Sequence, residues 1–190
     1  FDIDGTLVRT GGAGTRAMAR AFEESCGLAN AIDGITIAGN TDNLIVAEVL
    51  ARTSLEPRAD LTEAFKRSYI RSLTEELAAV PRRRGLLPGV VQRLERLAAA
   101  RGVTTALLTG NFPETARIKL DHFGLWHYFA FGGFGGEAPD RAGLVEVALA
   151  RGRAAGMPEV LPRDVVVIGD TPLDVACGRV NGARTLAVAT

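Results

Sequence analysis

The chain opens on Phe-Asp-Ile-Asp-Gly-Thr-Leu, and its chemistry begins with the carboxylates of Asp2 and Asp4. Side chains in a strand alternate faces with a period of two, so these acids would point the same way. Like charges that close repel unless a cation lies between them or one keeps a proton. Two more acids, Asp170 and Asp174, follow an apolar run near the other end, in Val-Val-Val-Ile-Gly-Asp-Thr-Pro-Leu-Asp. Gathered in one place, four carboxylates call for a hard divalent cation, and Mg2+ suits a site of few carboxylates and retained waters. One such Asp, Asp174 above all, serves as readily as a turn residue or helix cap. Four at successive strand ends are not explained that way.

The elements that must position these acids alternate. From Gly11 to about Pro81 the pattern is helical. Thr15–Leu28 carries Ala17, Ala21 and Ser25 on one side, with Met18 and Phe22 beside them. Asn40–Thr53 follows, with Thr41 or Asp42 as a cap. Asp60–Val80 sets Leu61, Phe65, Tyr69, Leu73 and Leu77 at four-residue steps. The only strand candidate in this block is Gly34–Gly39. After Pro81 the pattern changes to helix (residues 87–102, closed by Gly102), strand (103–111), helix (112–125, Pro113 in its first turn) and strand running into a glycine loop (128–136). Helix (140–156), strand, loop and helix (164–182) and a last strand (184–190) complete the chain. Alternating strands and helices imply an α/β fold, a Rossmann-like parallel sheet with helices on both faces. Ligands of such sheets bind outside the carboxyl ends of the strands. Those ends carry Asp2 and Asp4, then Thr109, Gly110 and Asn111, then Asp170 and Asp174.

Composition narrows the partners. Twenty-two basic and 22 acidic residues cancel, which argues against an electrostatic grip on nucleic acid or an anionic membrane. Cys26 and Cys177 stand in no ligand-like spacing, and a reduced, cytoplasmic protein is expected. His122 and His127 are read as packing residues. No apolar run is long enough to span a bilayer. Only Phe1 precedes Asp2, and the closing strand stops abruptly, so the natural polypeptide is expected to extend at both ends.

"DIDGTL", "LLTGN" and "GDTPLD", in that order, resemble the signature motifs of the haloacid dehalogenase-like (HAD) hydrolase superfamily. The resemblance covers nearly the whole chain and is closest to its capped, phosphoglycolate phosphatase-like members. It implies a core of residues 1–10 and 82–190 and a helical cap of the first (C1) type at 11–81. It further implies a Mg2+-dependent phosphatase acting on a small phosphorylated metabolite, as a monomer or homodimer. Asp2 would be the nucleophile and Asp4 the general acid and base. Asp2, Asp170 and the backbone carbonyl of Asp4 would bind Mg2+, with Asp174 orienting a metal-bound water or a neighbour. Thr109, with the N–H groups of Gly110 and Asn111, would hold the phosphoryl oxygens.

The family's basic residue is usually Lys, and this chain has no Lys-Pro pair at its place. Arg141, opening the helix after the glycine loop, is preferred to Lys119, which lies two turns into an earlier helix. Thr10–Gly14 (TGGAG) lacks the Lys-Ser/Thr of a P-loop and is read as a hinge. Asn40, Thr41 and Asp42 lie in a loop expected to face the substrate, and Arg82–Arg84 in a linker. The alternatives are a phosphomutase of the same fold and a catalytically silent binding protein. A dehalogenase or lyase is disfavoured by Asp4, the phosphatase-type acid.

Overall fold

The structure, a computed structural model, describes residues 1–53, 55–56 and 58–189. Three helices come first: α1 (Ala13–Cys26), α2 (Asp42–Thr53) and α3 (Ala59–Ala78). The four-residue step of α3 puts Phe65, Tyr69, Leu73 and Leu77 on one buried stripe. That stripe meets Ala17, Met18, Ala21 and Phe22 of α1, with the rings of Phe22 and Phe65 4.4 Å apart between centroids. Gly27 closes α1 in the left-handed conformation (φ 67°), its N–H returning to the carbonyls of Glu23 and Phe22. The candidate strand at 34–39 is instead a run of turns, in which the N–H of Ile35 bonds Ile32 and that of Asn40 bonds Ile37. With two isoleucines between glycines, it offers too short an apolar alternation to hold a ladder.

Then follow α4 (Arg82–Gly85), α5 (Val90–Ala99), β1 (Ala106–Leu108), α6 (Pro113–Phe123), β2 (Phe131–Gly133), α7 (Gly143–Ala154), β3 (Val166–Gly169), α8 (Pro172–Val180) and β4 (Arg184–Ala187). The arginine run expected as linker forms the single turn of α4. Helix α5 ends at Ala99, before the expected Gly102, because Ala100 is already extended. Strands β1 and β2 pair in parallel, as do β3 and β4. The opening residues join the two pairs. Phe1 exchanges bonds with β1 in a parallel pattern, and the N–H of Asp2 donates to Ile168 of β3 at 2.9 Å. The spatial order is therefore β4, β3, residues 1–2, β1, β2. Cys26 and Cys177 are both free, and His122 packs on Phe123 with its Nε2 on the Val80 carbonyl. No described helix is long and apolar enough to cross a membrane.

Candidate active site

Every acid, amide and hydroxyl expected at the strand ends lies at the same edge of the sheet. The chain leaves Asp2 through Ile3, whose carbonyl accepts the N–H groups of Thr6, Leu7 and Val8. Gly5 makes this turn possible. Its φ is +81°, and a Cβ there would lie 2.2 Å from Asp170 Oδ2. Next to it, Thr6 Oγ1 donates to Asp170 Oδ1 at 2.9 Å. The opening motif thus fixes the acid at the far end of the chain as well as its own.

Carboxylate oxygens of Asp2, Asp170 and Asp174 all lie within 4.8 Å of one another. Three hard oxygen donors, with Asp170 half-buried and the other two buried, form a set that fits Mg2+. Asp4 is not in this set. Its Oδ2 accepts from Lys119 Nζ at 2.6 Å and from Asn111 Nδ2 at 2.9 Å. Asp174 also does the local work foreseen for it. Its Oδ2 accepts from the N–H and hydroxyl of Thr171, and its N–H donates back to Thr171 Oγ1, closing a capping box on α8. Its free Oδ1 takes Arg141 Nη2 at 2.5 Å.

Two buried cations serve the site. Arg141 is 7 % exposed and bridges Asp2 Oδ1 (2.8 Å) and Asp174, while Nη1 reaches the Gly39 carbonyl. Lys119 is 4 % exposed and bridges Asp4 and Asn111 Oδ1 (2.6 Å). Both candidate cations therefore stand beside the acids. Axial distance along α6 places Lys119 too far away, but helical side chains lean toward the N-terminus, and the four-carbon stem carries its charge back to Asp4.

Thr109 is fully buried, and its hydroxyl accepts from Asn111 Nδ2 at 2.7 Å. Gly110 and Asn111, not Thr109, line a cavity of about 430 Å3 that also reaches Asp2, Asp4, Lys119 and Arg141. Asn40 lines it too, with its amide tied to the Thr36 carbonyl. Thr41 does not line it, and its Oγ1 is buried with no partner among the described residues. The expected cap of α2 is therefore not made by Thr41, nor by Asp42. Asp42 Oδ2 accepts from the Phe112 N–H (2.8 Å) and from Thr115, so it caps α6 instead. Its own N–H donates to the Gly110 carbonyl at 2.7 Å. Loop 38–42 thus sits directly on loop 109–112, so close that a Cβ on Gly110 would lie 2.1 Å from the Asn40 carbonyl oxygen. A larger depression of about 730 Å3, between α2 and α3 with Phe112 and Lys66 on its wall, gathers no comparable set of groups.

Burial moves two of these acids. Asp2 is pushed from 3.8 up to about 6, chiefly by desolvation, with Arg141 opposing. Asp42 is pushed to about 6 by desolvation, with Lys119 opposing. A carboxyl whose folded pKa exceeds its unfolded value costs stability once pH rises above the unfolded value, and the full cost is reached above the folded one. Each shift of roughly two pH units corresponds to at most about 3 kcal/mol. The metal-free protein is therefore expected to lose thermal stability between about pH 4 and pH 7, and Asp42→Asn to flatten part of that loss. Calorimetric melting across this range checks both, and a midpoint that rises with pH would contradict the sign.

Spacing alone marks Asp2, Asp4, Asp170 and Asp174 as a set. Thr6, Tyr69, which also lines the cavity, and Asp42 as the cap of α6 carry no such signal. Each sits in a local pattern with an ordinary explanation: a turn, a helix start, an apolar stripe.

No curated protein matches the sequence. Among solved structures, CbbY from Rhodobacter sphaeroides in complex with phosphate is 17% identical and superposes with a TM-score of 0.73, covering 100% of this chain and 84% of that one. A predicted phosphoglycolate phosphatase from Haemophilus somnus is 21% identical (TM-score 0.67; 98% and 82% covered). Magnesium-bound YfnB from Bacillus subtilis is 18% identical (TM-score 0.60; 97% and 85% covered). At these identities the likeness establishes the fold. The family model described as haloacid dehalogenase-like hydrolase matches residues 1–179, nearly the whole chain. With that match and the parallel-sheet fold, the chain belongs to the haloacid dehalogenase-like hydrolase family.

Proposed function

We propose that this hydrolase is a Mg2+-dependent phosphatase acting on a small phosphorylated metabolite through an aspartyl-phosphate on Asp2. The observation that carries the proposal is the meeting of Asp2, Asp170 and Asp174 within 4.8 Å, beside two buried cations, with Asp2 and Asp170 lining a cavity of about 430 Å3. Relatives bound to magnesium and to phosphate support it. Asp2, Asp170 and the backbone carbonyl of Asp4 would hold the ion, which when bound screens the acids and the charge of the phosphoryl oxygens.

An oxygen of Asp2 attacks phosphorus, and the bond to the leaving oxygen breaks. Asp4 gives that oxygen its proton. Asp4 then takes a proton from water, whose oxygen attacks phosphorus and frees Asp2 and inorganic phosphate. The N–H group of Gly110 would meet the phosphoryl oxygens, while that of Asn111 donates to Thr109 Oγ1 at 3.3 Å and the Asn111 amide ties Thr109, Asp4 and Lys119 into one unit. Arg141, held by Asp174, keeps Asp2 in line and balances its charge. Residues 11–81 act as the cap, and residues 1–10 with 82–190 as the core.

Release of phosphate from p-nitrophenyl phosphate should stop in EDTA and return with excess Mg2+. Turnover that persists unchanged in EDTA would remove the metal from the proposal. Interconversion of sugar-phosphate isomers without net phosphate release would favour the mutase.

A further inference from the structure

The side chain of Asp4 is 42% exposed, so hydrogen bonds rather than packing set its direction. Lys119 Nζ and Asn111 Nδ2 make them. The Asn111 amide is itself fully engaged, because Nδ2 also donates to Thr109 Oγ1 and Oδ1 accepts from Lys119. An amide tied to three partners keeps its aim only while the backbone beneath it is held.

That backbone is held by Asp42, at the start of α2 and some seventy residues away in sequence. Asn111 lies between two peptide groups, and Asp42 grips both. Its N–H donates to the Gly110 carbonyl at 2.7 Å, which fixes the Gly110–Asn111 peptide. Its Oδ2 accepts the Phe112 N–H at 2.8 Å, which fixes the Asn111–Phe112 peptide. Residues after Pro81 answer from the other side. The Asn111 N–H donates to Thr109 Oγ1 at 3.3 Å, and the Asn111 carbonyl accepts the Gly135 N–H at 2.8 Å. Phe112, the N-cap of α6, makes no side-chain cap of its own, so nothing local replaces Asp42 there. Thr115 Oγ1 reaches the same Oδ2 at 3.3 Å and steadies the carboxylate.

We infer that Asp42 is a positioning residue for the reaction: by gripping the backbone on both sides of Asn111 it aims the Asn111 amide, and through it the carboxylate of Asp4. This rests on the phosphatase reading above, in which Asp4 moves the proton. The arrangement uses one acceptor oxygen and one backbone N–H of Asp42, and asparagine offers both. Alanine keeps only the N–H and leaves the Phe112 N–H without its partner. Asp42 also lines the cavity, and a direct contact with substrate would instead show in KM.

Hydrolysis of p-nitrophenyl phosphate with Mg2+ should lose about 10- to 100-fold in kcat on Asp42→Ala, with KM within about threefold of the wild type. Asp42→Asn should bring kcat back to within about threefold. In an Asn111→Ala background, Asp42→Ala should cost no more than about twofold further, because the group it aims is already gone. In proton–nitrogen correlation spectra, the side-chain amide signals of Asn111, identified by their loss in Asn111→Ala, should move in Asp42→Ala and stay in place in Asp42→Asn. If Asp42→Ala fails to fold, Asp42→Ser keeps a capping oxygen on a shorter stem and should show the same loss of kcat relative to Asp42→Asn. An Asp42→Ala protein that melts lower yet keeps the wild-type kcat overturns the inference and makes Asp42 a helix cap only. A loss confined to KM, or one that multiplies in full with that of Asn111→Ala, overturns it in favour of direct substrate contact. If the wild type releases phosphate from no ester, the phosphatase reading falls, and the Asn111 amide signals decide the positioning by themselves.

Discussion

Asp2→Asn should abolish phosphate release from any ester, with a loss of roughly 10^4- to 10^6-fold, the scale seen when a covalent nucleophile is removed. The amide keeps the shape of the carboxylate and an oxygen for Arg141, but it lacks the charged nucleophile. Folding should survive. Asp2 is 6 % exposed and its ionised form is disfavoured by burial, so a neutral group there removes a desolvation cost while Arg141 keeps Asp174. The variant should therefore melt near the wild type at neutral pH and remain inactive at any Mg2+ concentration. Asp4→Asn gives the contrast. With p-nitrophenolate, a leaving group that needs no proton, the first displacement should continue and the second, which needs a base, should stall. Rapid-quench trapping of protein-bound phosphate should then show label on Asp4→Asn and none on Asp2→Asn. An Asp2→Asn protein that turns over at wild-type rate would end the covalent scheme.

The sheet and its active edge were legible because their signals are local and periodic. The alternation of short apolar strands with helices sets the layers, and polar residues directly after each strand mark the ligand edge, whatever the chain does between them. What stayed hidden depends on packing between distant segments. Asp42 sits at a helix start and reads as the cap of its own helix. Its carboxylate instead finds the N-terminus of α6, seventy residues away, because loop 38–42 lands on loop 109–112. Tyr69 reads as one more residue of an apolar stripe, and only the tertiary fold shows that its hydroxyl end meets a cavity. Asp174 shows that two readings of one residue need not compete. One oxygen caps α8 and the other steers Arg141.

Lys119→Met and Arg141→Met should fail in different ways, because the two cations stand in different surroundings. Arg141 separates two carboxylates, Asp2 and Asp174, whose side chains are 8% and 2% exposed. Replacing it with an apolar chain leaves buried acids facing each other without a partner, an arrangement that costs about 3–5 kcal/mol. Mg2+ brought to the same carboxylates supplies the missing charge, so much of that loss should be recovered in millimolar Mg2+. Lys119 pairs with Asp4, whose side chain is 42% exposed toward the cavity and can draw on water instead. Methionine fills nearly the same volume, so Lys119→Met should fold with a modest stability loss that Mg2+ does not relieve. Its deficit should be catalytic, about 10^2- to 10^3-fold in kcat, the usual scale for removing one electrostatic group that acts on the transition state. Urea melts with and without Mg2+, set beside kcat for each variant, separate the two cases. A Lys119→Met protein that is as unstable as Arg141→Met, yet fully active, would mean that the lysine only holds the fold and that Asp4 works without it.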